Sequence, residues 1–340
     1  MTVCVYGAGS IGCTLGGRLA AAGVPVTLVG RPRIAAEVAD HGLVITDLAG
    51  GTWRAAPADV PVTTEPGAPS GTDLVLVTVK SAATAGAAAE LAPTLAPDAV
   101  VISFQNGLGQ ADVLRAALPG RTVLAGMVPF NVVHRGDGRF HIATSGGLEV
   151  QTDPALAPHR DAFRRAGLAL REHADLKPVQ WAKLLLNLNN AINALSGLPL
   201  RTELSDRRFR RCLALAMAEA IRLLRRAGQP VARLTPLPPS WLPRLIAAPD
   251  PVFSRLAGSM IRIDPSARSS MLDDLDLGRP TEVDDLNGEV VRLARHLGLD
   301  APANQRLVDL VRAAESGGRR TWSGADLHAD LTATAHPRAS

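Results

Sequence analysis

The stretch "TVCVYGAGSIGCTLGGRLAAA" (2–22) decides the fold. Its apolar, β-branched start predicts a strand over 2–6, and a helical pattern runs on to Ala22. Between them, Gly7, Gly9 and Gly12 form a G-x-G-x-x-G pattern, which permits a tight turn and the close approach of a pyrophosphate. An ordinary glycine turn is the alternative. The position favours a dinucleotide-binding turn, with these cofactor-binding residues: Gly7, Ala8, Gly9, Ser10, Ile11 and Gly12.

The remaining pattern predicts an α/β protein of two domains. Strands and helices alternate in the first half, which is typical of a doubly wound sheet. The predicted strands are 24–30, 72–80, 99–105 and 121–130, with a hairpin that turns at Gly50-Gly51, two edge strands within 138–151, and helices over 33–39, 82–91 and 108–117. The second half is helical, over 178–195, 206–227, 252–263, 282–297 and 303–315. We expect a Rossmann-type domain (1–172), an all-helical domain (173–317) and a poorly ordered tail (318–340).

Composition argues against several classes of protein. Aromatic residues are only 3% of the chain, so stacking platforms for nucleic acid are not expected. The three cysteines and eight histidines show no metal-ligand spacing, so we expect no metal site. The chain shows no signal-peptide pattern and no apolar run of transmembrane length. These features predict a cytoplasmic protein without a membrane partner.

The residues after the second predicted strand indicate which dinucleotide would bind. An acidic residue there would hold the ribose 2′-hydroxyl of NAD, but this chain has Arg31 and Arg33, and no acid before Glu37. A guanidinium suits a 2′-phosphate. The sequence therefore predicts NADP(H), with Arg31 as the recognising residue, unless both arginines are simply solvated.

Two further polar residues follow predicted strands of the same sheet. Lys80 ends "LVLVTVK", and Asn106 follows "VVISFQ". Ligands of open α/β sheets bind beyond these strand ends. Lys80 is also one of only three lysines among 36 basic residues. In such an arginine-rich chain, a lysine is a candidate for a role that arginine cannot perform. Both residues are predicted to contact the cofactor; a solvated lysine and an Asn-Gly turn are the alternatives.

The helical segment "WAKLLLNLNNAIN" (181–193) carries five polar residues through an apolar run. At 100° per residue, Asn187 and Asn190 lie within about 40° of Lys183, Asn193 lies somewhat off that line and Asn189 points well away. Burying such groups without hydrogen-bond partners costs a few kcal/mol. The stripe therefore either lines a cleft that holds a ligand or meets buried polar partners. A partly desolvated Lys183 would have a lowered pKa and could donate a proton near neutrality.

Taken in order, the motifs resemble those of ketopantoate reductases (2-dehydropantoate 2-reductases) over nearly the whole chain to about residue 315. The resemblance rests on "GAGSIG" (7–12), "TVK" (78–80), "QNG" (105–107), "WAKLLLN" (181–187) and "SSMLDDL…TEVDDLNG" (269–288). It implies NADPH-dependent reduction of 2-dehydropantoate, or a similar 2-keto acid, to (R)-pantoate or the matching 2-hydroxy acid. That reaction belongs to pantothenate and coenzyme A biosynthesis. It also implies a helical domain like the C-terminal domain of 6-phosphogluconate dehydrogenase, closing over a small-molecule substrate.

The resemblance also assigns roles to individual residues. Lys183 matches the catalytic lysine and Glu282 its acidic partner, whereas Asn187 and Ser270 match substrate-binding positions. The family usually has a second asparagine eight residues after the lysine, where this chain has Ala191. Asn190 or Asn193 is the expected replacement, so both are predicted to bind substrate. Oligomeric state stays open, with a homodimer as the assembly to test.

Two other interpretations of the sequence are open. A β-hydroxyacid or 6-phosphogluconate dehydrogenase relative would also combine a Rossmann domain with a Lys…Asn helix, but the acidic "TEVDDLNG" segment argues against it. A non-catalytic NADP-sensing module would not need Lys183, Asn187 and Glu282 together.

Overall fold

A computed structural model describes residues 1–233, 237–256 and 267–335. The chain divides into two compact units, of which the first covers Met1–Leu176 and the second begins at Lys177. The division falls four residues after the predicted boundary at 172/173. The last strand of the first unit, Leu170–His173, pairs with Leu148–Gln151, and this pairing keeps the residues around the predicted boundary with the sheet.

The first unit contains two sheets and five α-helices among the described residues. Its strands are β1 Val3–Tyr6, β2 Val26–Val29, β3 Leu43–Asp47, β4 Thr52–Ala55, β5 Val62–Thr63, β6 Leu74–Val77, β7 Val100–Ser103, β8 Thr122–Met127, β9 Val132–His134, β10 Arg139–Ile142, β11 Leu148–Gln151 and β12 Leu170–His173. Its helices are α1 Ser10–Ala21, α2 Pro32–His41, α3 Thr84–Leu91, α4 Gln110–Ala117 and α5 Arg160–Arg165. The main sheet has the order β12-β11-β8-β7-β6-β1-β2-β5.

The main sheet is doubly wound, as the alternating pattern predicts. From β1 the chain proceeds to β2 on one side and then returns through β6, β7 and β8 on the other, all in parallel. Val3 and Val5 belong to the core cluster that includes Leu15 of α1, whereas Cys4 and Tyr6 belong to the opposite cluster. Because successive strand residues face opposite sides, the continuous apolar runs follow from burial on both faces.

A second sheet, in the order β4-β3-β10-β9, accounts for the remaining strands. The predicted hairpin over 43–56 is confirmed as the antiparallel pair β3–β4. The two strands predicted as edge strands are not at an edge: β10 lies between β3 and β9, and β11 lies between β8 and β12. That prediction was wrong because β9 (VVH) is only three residues long and β12 (LREH) is mostly polar, so neither partner strand stands out in the sequence.

The second unit is helical throughout its described residues. Its helices are α6 Lys177–Asn187, α7 Asn189–Ser196, α8 Leu200–Ser205, α9 Arg207–Arg226, α10 Leu242–Ile246, α11 Asp250–Leu256, α12 Ser270–Asp276, α13 Asn287–His296, α14 Pro302–Glu315 and α15 Gly324–Ala335. The predicted helix 178–195 is interrupted at Leu188 and becomes α6 and α7. The predicted helix 252–263 lies partly outside the described residues. None of the described helices is long and apolar enough to cross a membrane.

The C-terminal segment differs from its prediction. Residues 318–340 were expected to be poorly ordered, but α15 forms and packs against α9 and α14. Leu327 and Leu331 are fully buried, and Asp330 forms a two-point ion pair with Arg306 (2.7 and 3.0 Å). The hydrophobic periodicity of this segment is too weak to predict a helix, and the burial of its two leucines depends on packing against α9 and α14. Residues 336–340 lie outside the described part.

Leu331→Ala tests whether α15 belongs to the folded core. Truncating a fully buried leucine leaves a cavity and costs about 2–5 kcal/mol. We therefore expect a lower free energy of unfolding in urea denaturation, whereas the exposed Thr334→Ala on the same helix should change it little. Equal stability of the two variants would contradict the packed position of α15.

Candidate functional site

The glycine turn after β1 is fixed by its contacts with the loop that follows β6. Gly7 has φ +117°, and a Cβ there would lie 2.6 Å from the backbone nitrogen of Val79. A Cβ on Gly12 would lie 2.2 Å from the carbonyl oxygen of Gly7. Both positions therefore require glycine. The amides of Gly7 and Ala8 donate to the carbonyl of Val29 (3.0 and 2.8 Å), so these two residues shape the turn and their N–H groups are already engaged.

The end of α1 beyond this turn is suited to an anion. The helix begins at Ser10 after Gly9, without a side-chain cap and without an acidic residue in its first turn. The first N–H groups of a helix lack partners within it, and they carry its positive end. Gly9 is exposed, and a Cβ there would contact nothing within 4 Å. The space in front of Ser10, Ile11 and Gly12 could thus receive a phosphate group.

Arg31 and Arg33 differ in their surroundings. Arg31 is exposed between β2 and α2, and within the described ranges it has no ion-pair partner. Arg33 forms an ion pair with Glu37 at 3.1 Å. The Glu37 carboxylate also accepts from the Gly138 amide (2.8 Å) and bonds His134, and these contacts hold its pKa below the usual value despite burial. Arg31 is therefore the cation that remains available beside β2.

Lys80 and Asn106 follow neighbouring strands whose ends lie at the same edge of the sheet. Val77 of β6 is opposite Ser103 of β7 in a parallel pair, so the loops after both strands leave at that edge. Lys80 is exposed and Asn106 is half-buried. The glycine turn joins them, because the Thr78 hydroxyl donates to the Gly7 carbonyl at 2.7 Å. The predicted cofactor residues of the first unit thus come together at one sheet edge.

Gln105 connects these two loops, a role that the sequence did not suggest. Its side-chain nitrogen donates to the carbonyl of Val79 (3.1 Å) and to the hydroxyl of Thr84 (2.7 Å), and its oxygen accepts from Ser103 (2.9 Å). The side chain is buried. A polar residue at the end of a buried strand was the available signal. Gln105 fixes the loop after β6 relative to Asn106.

In the second unit, Lys183 of α6 and Glu282 interact electrostatically. Burial lowers the pKa of Lys183 to about 8, and the Glu282 carboxylate acts in the opposite direction. Glu282 is only 6% exposed and precedes a single 3₁₀ turn, 283–285, that leads into α13. The structure therefore brings together the two residues that the resemblance paired. An amine with such a pKa can exchange a proton near neutral pH.

The asparagines of the polar stripe fall into two groups. Asn187 at the end of α6 and Asn190 on α7 are half-buried. Asn193 is fully buried, and its amide nitrogen donates to the carbonyl of Leu198 (2.8 Å) and to Glu203 (3.3 Å), while its oxygen accepts from the amide of Ser269 (3.0 Å). All of its hydrogen-bonding groups are used internally. The prediction that Asn193 binds substrate is therefore corrected: it is a structural residue.

Ser270 stands at the start of α12, where it is exposed. The preceding Ser269 is buried and caps the helix by accepting from the Leu272 amide at 3.2 Å. Its hydroxyl also lies 3.4 Å from the carbonyl oxygen of Asn190. Ser270 is therefore held next to a turn that is hydrogen-bonded to α7.

Comparisons with known proteins agree across both units. Two family models match the chain, Ketopantoate reductase PanE/ApbA over residues 3–154 and its C-terminal counterpart over residues 175–315. The 2-dehydropantoate 2-reductase of Halobacterium salinarum is 32% identical over 328 residues, which cover 94% of this chain and 100% of that protein.

Solved structures show the same correspondence. A PanE/ApbA family ketopantoate reductase from Ralstonia eutropha has a TM-score of 0.79 and 31% identity, covering 93% of this chain and 99% of that one. A ternary structure of D-mandelate dehydrogenase with NADH and anilino(oxo)acetate has a TM-score of 0.77 at 20% identity, covering 93% and 99%, and this likeness concerns the fold alone.

Glu282→Gln tests the electrostatic coupling of this pair. Removing the carboxylate removes the contribution that raises the pKa of Lys183, so that pKa should fall below its wild-type value. Carbon-13 labelling at lysine Cε gives only three signals, from Lys80, Lys177 and Lys183, and their pH titration can be followed by NMR. The signals of Lys80 and Lys177 serve as internal controls. An unchanged Lys183 titration would show that Glu282 does not act on it.

Proposed function

The chain belongs to the ketopantoate reductase family, and from this premise we propose that it catalyses the NADPH-dependent reduction of 2-dehydropantoate, or a similar 2-keto acid, to the 2-hydroxy acid. With 2-dehydropantoate the product is (R)-pantoate, a precursor of pantothenate and coenzyme A. The observation that carries the proposal is the half-buried Lys183, whose pKa is lowered to about 8, beside the buried carboxylate of Glu282.

The first unit fits a nicotinamide dinucleotide. In the glycine turn, Gly7 and Gly12 leave no room for a Cβ, whereas the space beside Gly9 is open. The N-terminus of α1 has no side-chain cap and could bind a pyrophosphate. Arg31 would bind the 2′-phosphate, since Arg33 is already paired with Glu37 and no acid occupies the end of β2. Lys80 and Asn106 would complete the cofactor contacts at the same sheet edge. When bound, the reduced nicotinamide supplies the hydride for the C2 carbonyl.

The second unit would hold the 2-keto acid and supply the proton. The Lys183 ammonium donates a hydrogen bond to the C2 carbonyl oxygen and transfers its proton as negative charge develops there. Glu282 keeps the ammonium form populated at neutral pH because it opposes the effect of burial. The amide of Asn187, one helical turn after Lys183, would orient the substrate. Asn190 and Ser270 are the further donors that we assign to it.

A panel assay tests the proposal as a whole. NADPH consumption is followed with 2-dehydropantoate and with other 2-keto acids of graded size. The reductase assignment requires turnover with at least one of them. Absence of turnover with intact nucleotide binding would instead support a non-catalytic sensing module. Oxidation of a β-hydroxyacid, without reduction of any 2-keto acid, would support the dehydrogenase alternative.

We also propose a cytoplasmic location, since Cys4, Cys13 and Cys212 are buried free thiols.

Lys183→Ala should lower kcat by about 10²–10⁴-fold while NADPH still binds, because proton delivery typically contributes that factor. Lys183→Arg keeps the charge but not the readily transferred proton, so it should resemble the alanine variant. Lys177→Arg, at the exposed start of the same helix, is the matched control and should remain active. Near-normal turnover of Lys183→Arg would show that residue 183 supplies only positive charge.

Arg31→Ala should raise the KM for NADPH by about 10- to 100-fold and leave the KM for NADH nearly unchanged. The reason is the loss of charge-assisted hydrogen bonds to a 2′-phosphate, worth about 1.5–3 kcal/mol. Arg33→Ala is the matched control, because its guanidinium is paired with Glu37. Steady-state kinetics with both nucleotides decide the matter, and equal wild-type affinity for NADPH and NADH would overturn the assignment.

A further inference from the structure

Glu203 on α8 is a fully buried acid that the proposed chemistry does not use. Its Oε2 accepts from the side-chain nitrogens of Asn189 (2.9 Å) and Asn193 (3.3 Å), both on α7. Its other oxygen, Oε1, is buried without a hydrogen-bond partner, and so is Oδ1 of Asn189. The same two side chains therefore share one hydrogen bond and each retain one buried acceptor that lacks a donor.

A proton on Glu203 would satisfy both of these atoms. A carboxylic acid and a primary amide can form a ring of two hydrogen bonds, in which the amide N–H donates to one acid oxygen and the acid O–H donates to the amide oxygen. An ionised carboxylate cannot do this, because it only accepts, and it would leave two acceptors buried and unpaired. Burial also raises the pKa of Glu203 to about 8, although the two asparagine hydrogen bonds act in the opposite direction.

This group of side chains is connected to the start of α12. Asn193, which donates to Glu203, also accepts from the backbone amide of Ser269 at 3.0 Å. Ser269 caps α12 and lies against the carbonyl of Asn190. The orientation of the Asn193 amide is therefore fixed by Glu203 on one side and fixes the helix start on the other. The next residue in the chain is Ser270.

We propose that Glu203 is a neutral carboxylic acid in the folded protein, that its Oε1–H donates to Oδ1 of Asn189, and that this acid–amide ring positions the Ser269–Ser270 start of α12 through Asn193. Glu203 is thus a positioning residue and does not itself touch substrate. The kinetic consequence rests on the proposed function, because it assumes that Ser270 binds the 2-keto acid; the protonation state does not.

The groups that face Glu203 are compatible with a neutral acid. On α9, Cys212 interacts electrostatically with Glu203, and burial raises the pKa of its thiol to about 12, so it stays uncharged at neutral pH. Arg210, also on α9, directs its guanidinium to carbonyl oxygens of Leu204 and Ser205 and to the carboxylate of Asp250 (2.6 Å). In the described part of the chain, α7 contributes only the neutral Asn189 and Asn193 to the side chain of Glu203.

Infrared spectroscopy of the full-length protein tests the protonation state. A wild-type minus Glu203→Gln difference spectrum at pH 6.5 should contain the C=O stretch of a protonated carboxyl that vanishes above pH 9. Glutamine is the matched variant, since it offers one acceptor to the asparagines and one N–H donor to Asn189. A carboxylate band at pH 6.5 in place of the protonated one would overturn the proposal.

Unfolding measurements give a second readout that does not depend on activity. The pKa of Glu203 is raised on folding from 4.5 to about 8, so the folded state binds the proton more tightly. The stabilisation is complete below the unfolded pKa and is lost as the pH rises through the folded one. The unfolding constant of the wild type, relative to Glu203→Gln, should therefore rise about tenfold per pH unit between about pH 5 and 8. A constant ratio over that range would contradict a neutral Glu203.

Kinetics then test positioning. Glu203→Ala should raise the KM for the 2-keto acid by about tenfold, with the KM for NADPH unchanged, and Glu203→Gln should restore it. Loss of rescue by glutamine would overturn the positioning role. If no 2-keto acid is turned over by the wild type, the proposed function fails, but the infrared and unfolding results still decide the state of Glu203.

Discussion

The polar side chains of α6 and α7 run through an apolar environment, and each must be paired or left open to a ligand. Leaving a buried amide or carboxyl unpaired costs about 1–3 kcal/mol, which is a large part of the stability of an ordinary domain. Asn193 meets this requirement with Leu198, Glu203 and Ser269, and the side-chain nitrogen of Asn189 donates to Glu203. Lys183, Asn187 and Asn190 are only half-buried. The segment from α6 to α7 thus supplies an internal polar network and also the side chains that we propose for the substrate.

The same need for a partner applies to the charges of Lys183 and Glu282. Lys183 is near Glu282, and the two opposite charges compensate each other in a poorly solvated place. A substrate carboxylate therefore gains little from Lys183 as a net charge. We infer that neutral donors, such as the hydroxyl of Ser270 and the amides of Asn187 and Asn190, recognise the acid group. In the proposed reaction, Lys183 then interacts with the carbonyl oxygen and transfers its proton there.

In the first unit, several positive groups lie around the edge of the sheet where we propose that the dinucleotide binds. The parallel strands bring the glycine turn, Lys80 and Asn106 to one sheet edge, and Arg31 follows the neighbouring strand β2. The N-terminus of α1 adds the positive end of a helix without any acidic residue in its first turn. Glu37 is engaged with Arg33 and His134 and does not place a carboxylate at the end of β2. This arrangement is the reason why we propose NADP(H) as the nucleotide.

Local patterns in the sequence determined the doubly wound sheet, the glycine turn and the helical second half. A continuous apolar run such as "LVLV" (74–77) predicts a buried strand, and a G-x-G-x-x-G between strand and helix predicts a tight turn. Both predictions depend mainly on residues that are close in the sequence. The pairing of Lys183 with Glu282 was reached only through resemblance, because the two residues are far apart in the chain and no periodicity connects them.

Only the tertiary structure decided which polar side chains form hydrogen bonds inside the protein. Asn190 and Asn193 are both predicted from the sequence to bind substrate, yet Asn193 is hydrogen-bonded to Glu203, Leu198 and Ser269, whereas Asn190 is half-buried. The same holds for α15, whose Leu327 and Leu331 gain their stabilising burial from α9 and α14. Whether a side chain is paired depends on partners that are distant in sequence, and the free energy of burial exists only once those partners are assembled.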